Sequence, residues 1–208
     1  AKGLEDKKKF EIIFDREVFY FGNLKFYQKL KLNNYKKNII CFASIHREEY
    51  ENVFQIIENL ELNSITQIII IPRHIHFSLK LKSMIKNAHS NKIFILEKFG
   101  ENDTAYETSK LTFMGGSLFE HGGQNPIEPL SKGCFVLSGQ YINNFSEIYA
   151  DLEDLSLARV FKEKNFEEIA SAINKYIDME LNNEANIKDY FNLNIKQLSS
   201  IIDKVEEC

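Results

Sequence analysis

From residue 39 onward, short apolar runs alternate with stretches whose apolar residues recur at helical spacing. Ile39–Ala43 reads as a buried strand. Glu48–Leu60 reads as a helix, with Tyr50, Val53, Phe54, Ile57 and Leu60 on one face. Gln67–Ile71 is a second strand, closed by Pro72, and Phe77–Lys86 a short helix. Lys92–Leu96 is a third strand. A brief helix at Asp103–Ser109 leads into a fourth, Leu111–Met114. Pro126–Lys132 is a helix stopped by Gly133, and Cys134–Leu137 a fifth strand. A helical turn near Phe145–Tyr149, a strand at Ala158–Phe161, a helix from the Asn165 cap to about Asp178, and a final helix over Ile187–Val205 complete the pattern. Such alternation predicts parallel strands joined by right-handed crossovers, an α/β, Rossmann-like, doubly wound sheet. Ligands in such sheets sit beyond the carboxyl ends of the strands.

Residues 1–35 break the alternation. Phe10–Phe14 and Val18–Phe21 have strand composition, but the segment is too short for a domain. The final helix carries an apolar stripe at Phe191, Ile195, Leu198, Ile202 and Val205. Two readings of that stripe stand: packed on its own domain, or partly exposed.

The glycine loop concentrates the candidate chemistry. Gly115-Gly116-Ser117 follows the fourth strand, and Gly122-Gly123 precedes Asn125, Pro126 and Glu128. Strand, glycine loop and helix start together predict a phosphate cradle, because glycine admits close backbone approach and helix N-termini attract anions. Asn, Pro and Glu at this spacing also make an ordinary helix cap that needs no ligand. Elsewhere, Ser44 and His46 end the first strand, Arg73 and His74 the second, and Gly100 and Glu101 the third. An arginine fork suits phosphate or carboxylate. Ser44 equally fits a helix cap, with Glu48 and Glu49 in the first helical turn. His121 lies within the glycine loop and Asn144 after it. No histidine has carboxylate or cysteine partners at metal-ligand spacing, so no metal site is expected.

The same residues carry a family resemblance. Gly-Gly-Ser-Leu at 115–118, Gly-Gly-Gln-Asn-Pro-Ile-Glu-Pro at 122–129 and Asn144-Phe145 resemble the signature of bacterial Kdo transferases. These enzymes move 3-deoxy-D-manno-octulosonic acid (Kdo) from its CMP-activated form onto lipid A. Gly22-Asn23-Leu24-Lys25-Phe26, Ser44-Ile45-His46, Arg73-His74 and Gly100-Glu101 match shorter family segments in order. The chain departs from the family where Ile75-His76 replaces Pro-Glu, where Glu97-Lys98 replaces Asp-Thr, and where Gln124 replaces a histidine.

The resemblance implies the C-terminal, donor-binding half of a two-domain B-type glycosyltransferase. It implies residues 1–35 as a remnant of the N-terminal half and linker, 36–184 as the donor domain, and 185–208 as a helix crossing toward the N-terminal domain. It implies CMP-Kdo as donor, with no separate cofactor or metal, and a lipid A precursor as acceptor. The general base belongs to the N-terminal half, so this chain alone is expected to be inactive and soluble. The whole enzyme would work at the cytoplasmic face of the bacterial inner membrane. By resemblance Glu128 holds ribose hydroxyls, and the loop N–H groups with Ser117 hold the phosphate. Asn144 either binds the sugar or braces the loop. Two other classes remain open: a B-type transferase or epimerase using a UDP-sugar, and a non-catalytic nucleotide-binding or interaction module.

Composition constrains these readings. The 208 residues are 44% hydrophobic and 27% charged, enough for a globular core. The net charge of −4 gives no sign of nucleic-acid binding. Residues 1–40 nonetheless hold ten Lys/Arg against five Asp/Glu, a basic segment suited either to solvent or to an anionic lipid surface. Cys41, Cys134 and Cys208 show no pairing pattern. The first two sit in apolar runs as buried thiols, which fits a reducing compartment. No run reaches the roughly 18–20 apolar residues of a membrane span, and the Lys-rich opening residues do not resemble a signal peptide.

Overall fold

A computed structural model describes residues 4–19, 23–32, 36–85, 91–98 and 100–206, with the backbone alone for 4–6 and 200–206. Tyr20, Phe21, Gly22 and Lys86, each part of an expected segment, lie outside the described residues, as do the side chains of Ile202 and Val205. The chain divides into two compact units, residues 31–184 and residues 1–30 together with 185–208.

The larger unit is built on six parallel strands: β1 (Lys37–Ile45), β2 (Gln67–Pro72), β3 (Ile93–Ile95), β4 (Ser109–Met114), β5 (Phe135–Ser138) and β6 (Ala158–Val160). Their order is β3-β2-β1-β4-β5-β6. Ile40 pairs with Ile68 on one side and Leu111 on the other, and Met114 pairs with Ser138. The sheet grows leftward from β1 through the first half of the chain and rightward through the second. The order therefore reverses between β1 and β4, the position where such sheets open a ligand crevice.

Helices α2 (Tyr50–Glu58), α3 (Ser78–Ser83), α4 (Asn102–Thr108), α5 (Ile127–Ser131) and α6 (Ser146–Asp154) connect the strands, and α7 (Phe166–Asp178) follows the last of them. Central strands buried on both faces need unbroken apolar sequence. Ile40, Phe42, Ile68, Ile70, Leu111, Phe113 and Leu137 accordingly sit in one core with Val53, Ile56 and Ile57 of α2 and Ile169 and Ile173 of α7. Asn165 caps α7 as expected, its side-chain oxygen accepting from the Glu168 N–H at 3.1 Å. Cys41 and Cys134 are buried thiols.

In the smaller unit, α1 (Leu4–Phe14) corrects the strand expected at Phe10–Phe14. Strand composition loses here to the straight-chain residues around it, Leu4 through Lys9, which favour helix. Ile12 and Ile13 of α1 are exposed. The last helix, α8 (Glu184–Glu206), buries Phe191 and Leu198 of its stripe, while Ile195 stays half-buried. Phe26 meets Tyr190 and Phe191 edge-on at 5.3 and 5.2 Å between ring centres. Among the described residues no helix is long and apolar enough to cross a membrane.

Candidate functional site

The crevice at the β1–β4 reversal is shaped by backbone. Ser44 adopts φ 56°, a left-handed conformation, and the β1–β2 register shifts between Phe42 and Ile45. The bulge turns the Ser44 carbonyl toward β4. A Cβ at residue 115 would lie 2.4 Å from that oxygen, so only glycine fits there. Beyond it the glycine loop folds on itself, with the Gly123 N–H donating to the Gly116 carbonyl at 2.8 Å.

Glu49 organises the loop. After β1 the chain makes one 3-10 turn over Arg47–Glu49, which points the Glu49 side chain inward, where it is fully buried. Its Oε2 accepts from the Gly116 N–H at 2.7 Å and the His46 N–H at 2.9 Å. Its Oε1 accepts from the N–H groups of Ser117 at 3.0 Å and Leu118 at 2.9 Å. Burying a carboxylate alone costs several kcal/mol. Hydrogen bonds to a charged group return roughly 1.5–3 kcal/mol each, so four of them offset that cost. Ser117 is spent as well. Its hydroxyl donates to the Met114 carbonyl at 2.6 Å and accepts from the Gly139 N–H at 2.8 Å. Gly115 donates to the Ala43 carbonyl at 2.8 Å. Of the groups expected to hold a ligand phosphate, the N–H groups of Gly116 and Ser117 are taken by a carboxylate of the chain itself.

The other expected residues fall into three places. His46 stands at the mouth of the crevice. Its ring stacks on His121 with centres 4.2 Å apart and planes at 12°, and His74 approaches it edge-on at 6.1 Å. Burial, then the nearby charge of His121, lowers the His46 pKa below the usual histidine value. The exposed Arg73 follows β2, its N–H donating to the Ile45 carbonyl at 2.8 Å. Asn144 braces the loop: its backbone N–H donates to Gly122 at 3.0 Å and its amide to the His121 carbonyl at 3.3 Å. Of the two roles open to it, bracing is the one the geometry displays.

Asn125 caps the start of α5, accepting from the Ile127 N–H at 3.0 Å, and the half-exposed Glu128 follows on the first turn. Glu128 adds its negative charge to the surroundings of the buried Tyr106 phenol. Gly100 and Glu101 lie apart. Glu101 pairs with Lys98 at 3.4 Å and borders a depression of about 430 Å³ between Ile69, Phe94, Leu96 and Thr104.

Sequence reasoning missed Glu49, read only as a first-turn residue, and the grouping of His46, Glu48 and His121. Both depend on two segments meeting about seventy residues apart, which no local spacing announces.

Comparison with known proteins bears on this crevice. The family model described as glycosyl transferases group 1 matches residues 25–192. The 3-deoxy-D-manno-octulosonic acid transferase of Aquifex aeolicus is 28% identical over 187 residues, covering 84% of this chain and 52% of that protein. The enzyme of the same name from Rickettsia typhi is 25% identical over 215 residues, covering 89% of this chain and 45% of its own length. The chain thus spans about half the length of these curated relatives. Among solved structures, the C-terminal CMP-Kdo binding domain of WaaA from Acinetobacter baumannii superposes with a TM-score of 0.57 at 20% identity, over 80% of this chain and 90% of that one. TarM from S. aureus, solved with UDP among its ligands, reaches 0.67 at 16% identity, over 99% of this chain and 42% of that one. These structural likenesses concern the fold.

Proposed function

Because the chain belongs to the family of glycosyl transferases group 1, we propose that it is the donor-binding part of a Kdo transferase. The crevice would hold CMP-Kdo, and the acceptor would be a lipid A precursor in lipopolysaccharide synthesis. The observation that carries this reading is the coincidence of the signature glycine loop with the strand-order reversal between β1 and β4. The Kdo transferase relatives support the choice of donor.

The reaction is inverting glycosyl transfer. An acceptor hydroxyl attacks the anomeric carbon of Kdo and loses its proton to a base. The bond from that carbon to the CMP phosphate oxygen breaks, and CMP leaves with the electron pair. With the inner loop N–H groups occupied by Glu49, the departing phosphate is met by the exposed rim, Arg73 and His46. Arg73 supplies a fixed positive charge through a two-pronged donor set. Glu128 accepts from the ribose hydroxyls, since one carboxylate can take both members of a cis diol. Gly115 and Asn144 keep the loop in place. The general base lies outside these residues, so this chain alone binds donor without turnover, and the whole enzyme works at the cytoplasmic face of the bacterial inner membrane. No separate cofactor takes part.

The test is calorimetric titration of the chain with CMP and with UDP, repeated on Glu128→Ala. CMP binding that disappears in the variant supports the reading. Preference for UDP replaces it with a UDP-sugar transferase. Absence of binding to either nucleotide overturns the donor role.

A further inference from the structure

We infer that His46, Glu48 and His121 form a binding site for a divalent transition-metal ion at the rim of the crevice. The site shares His46 with the phosphate-facing rim proposed above, and metal binding there is read without nucleotide, so its failure and that of the donor role are distinguishable. The ligand atoms of the three side chains all lie within 4.8 Å of one another, and His121 Nε2 is 3.8 Å from Glu48 Oε2. Two imidazoles and one carboxylate are the donor set of open zinc sites, which leave a fourth position for water or an anion.

A zinc ion with bonds near 2.0–2.2 Å needs its ligand atoms roughly 3.3–3.5 Å apart. The His121–Glu48 pair at 3.8 Å must therefore close by about 0.4 Å, and no pair by more than about 1.5 Å. The nearly parallel imidazoles must also tilt, because their lone pairs lie in the ring planes and do not yet converge. The two exposed partners provide that freedom: the Glu48 side chain is 58% exposed and that of His121 36%. His121 also precedes two glycines at φ 80° and 77°. His46 is the fixed member, anchored through its backbone N–H to the buried Glu49.

Glu48 and Glu49 bring negative charge to His46, while burial, His121 and Arg73 act in the opposite sense. The rings of His46 and His121 lie with centres 4.2 Å apart, so one ion can draw on both. A shared metal ion uses both neutral lone pairs. Imidazole selects zinc, nickel or copper over calcium and magnesium, which prefer oxygen donors.

The experiment is titration of tag-free protein with Zn²⁺ and, separately, Mg²⁺ by calorimetry, on the wild type, His121→Ala and Glu48→Gln. Histidine ring signals are followed by NMR on the wild type. Expected are one Zn²⁺ per chain, shifted His46 and His121 ring signals, and no Mg²⁺ binding. His121→Ala should weaken zinc by more than about tenfold, since even outer-shell partners of metal ligands change affinity roughly 10- to 100-fold. Glu48→Gln should weaken it by about tenfold. The absence of zinc binding overturns the site. So does binding that both variants leave intact, or binding that shifts other histidines instead.

Discussion

Oε2 of Glu49 lies 2.7 Å from the backbone nitrogen of Gly116, inside the loop whose sequence signals an anion cradle. The anion belongs to the protein. The glycine loop is thus held in shape by a group of the chain itself.

Replacing Glu49 with Ala should therefore cost stability, not only binding. Four N–H groups would lose their acceptor in a buried site. An expected loss of about 3 kcal/mol follows from breaking a buried charged network. Urea unfolding of the variant should show a lowered midpoint, and a midpoint within error of the wild type would contradict the bracing role.

Gly115→Ala and Gly100→Ala should separate steric from conformational cost. At 115 the new Cβ meets the Ser44 carbonyl at 2.4 Å, backbone against backbone, whereas at 100 nothing lies within 4 Å and only the φ of 84° is strained. The first should fall at the upper end of the roughly 1–3 kcal/mol typical of overpacking. The second should cost about 1 kcal/mol. Thermal unfolding of the two variants side by side checks the order.

Stability should depend on pH through His46. Burial and the charge of His121 hold its pKa below the usual 6.5, so the folded chain binds fewer protons than the unfolded one. The stabilisation from keeping His46 neutral is complete above about pH 6.5. It declines as pH falls below that value and levels off once the folded-state value is passed. In His46→Asn the urea midpoint should change less between pH 7.5 and 5.5 than in the wild type.

Cys41 and Cys134 should resist thiol reagents. Both are buried, and burial raises both thiol pKa values. In a Cys208→Ser background, native protein should show almost no fast-reacting thiol, and unfolding in urea should release two.

The sheet was legible because its strands obey one rule. Ile39–Ala43, Gln67–Ile71 and Leu111–Met114 are apolar apart from Gln67 and Thr112, as burial on both faces requires, and each lies within an observed strand. Segments without that constraint were harder. Phe10–Phe14 has strand residues but a helical neighbourhood. The 3-10 turns at Arg47–Glu49 and Ile75–Phe77 replace helix starts that periodicity places differently. At the site, Gly115, Gly116, Gly122 and Asn144 were visible as a loop. What fills the loop was not, because Glu49 differs from Glu48 only in which way a single turn points it.

The contact between Glu49 and the glycine loop also sets an order of events in folding. The acceptor is synthesised 67 to 69 residues before three of its four donors. Until β4 docks beside β1, the Glu49 carboxylate can only remain in water, because burying it alone is too costly. Docking of another strand in the place of β4 would leave it stranded. The carboxylate thus penalises wrong strand neighbours at the centre of the sheet, and the crevice takes shape only when the two halves of the unit have paired correctly.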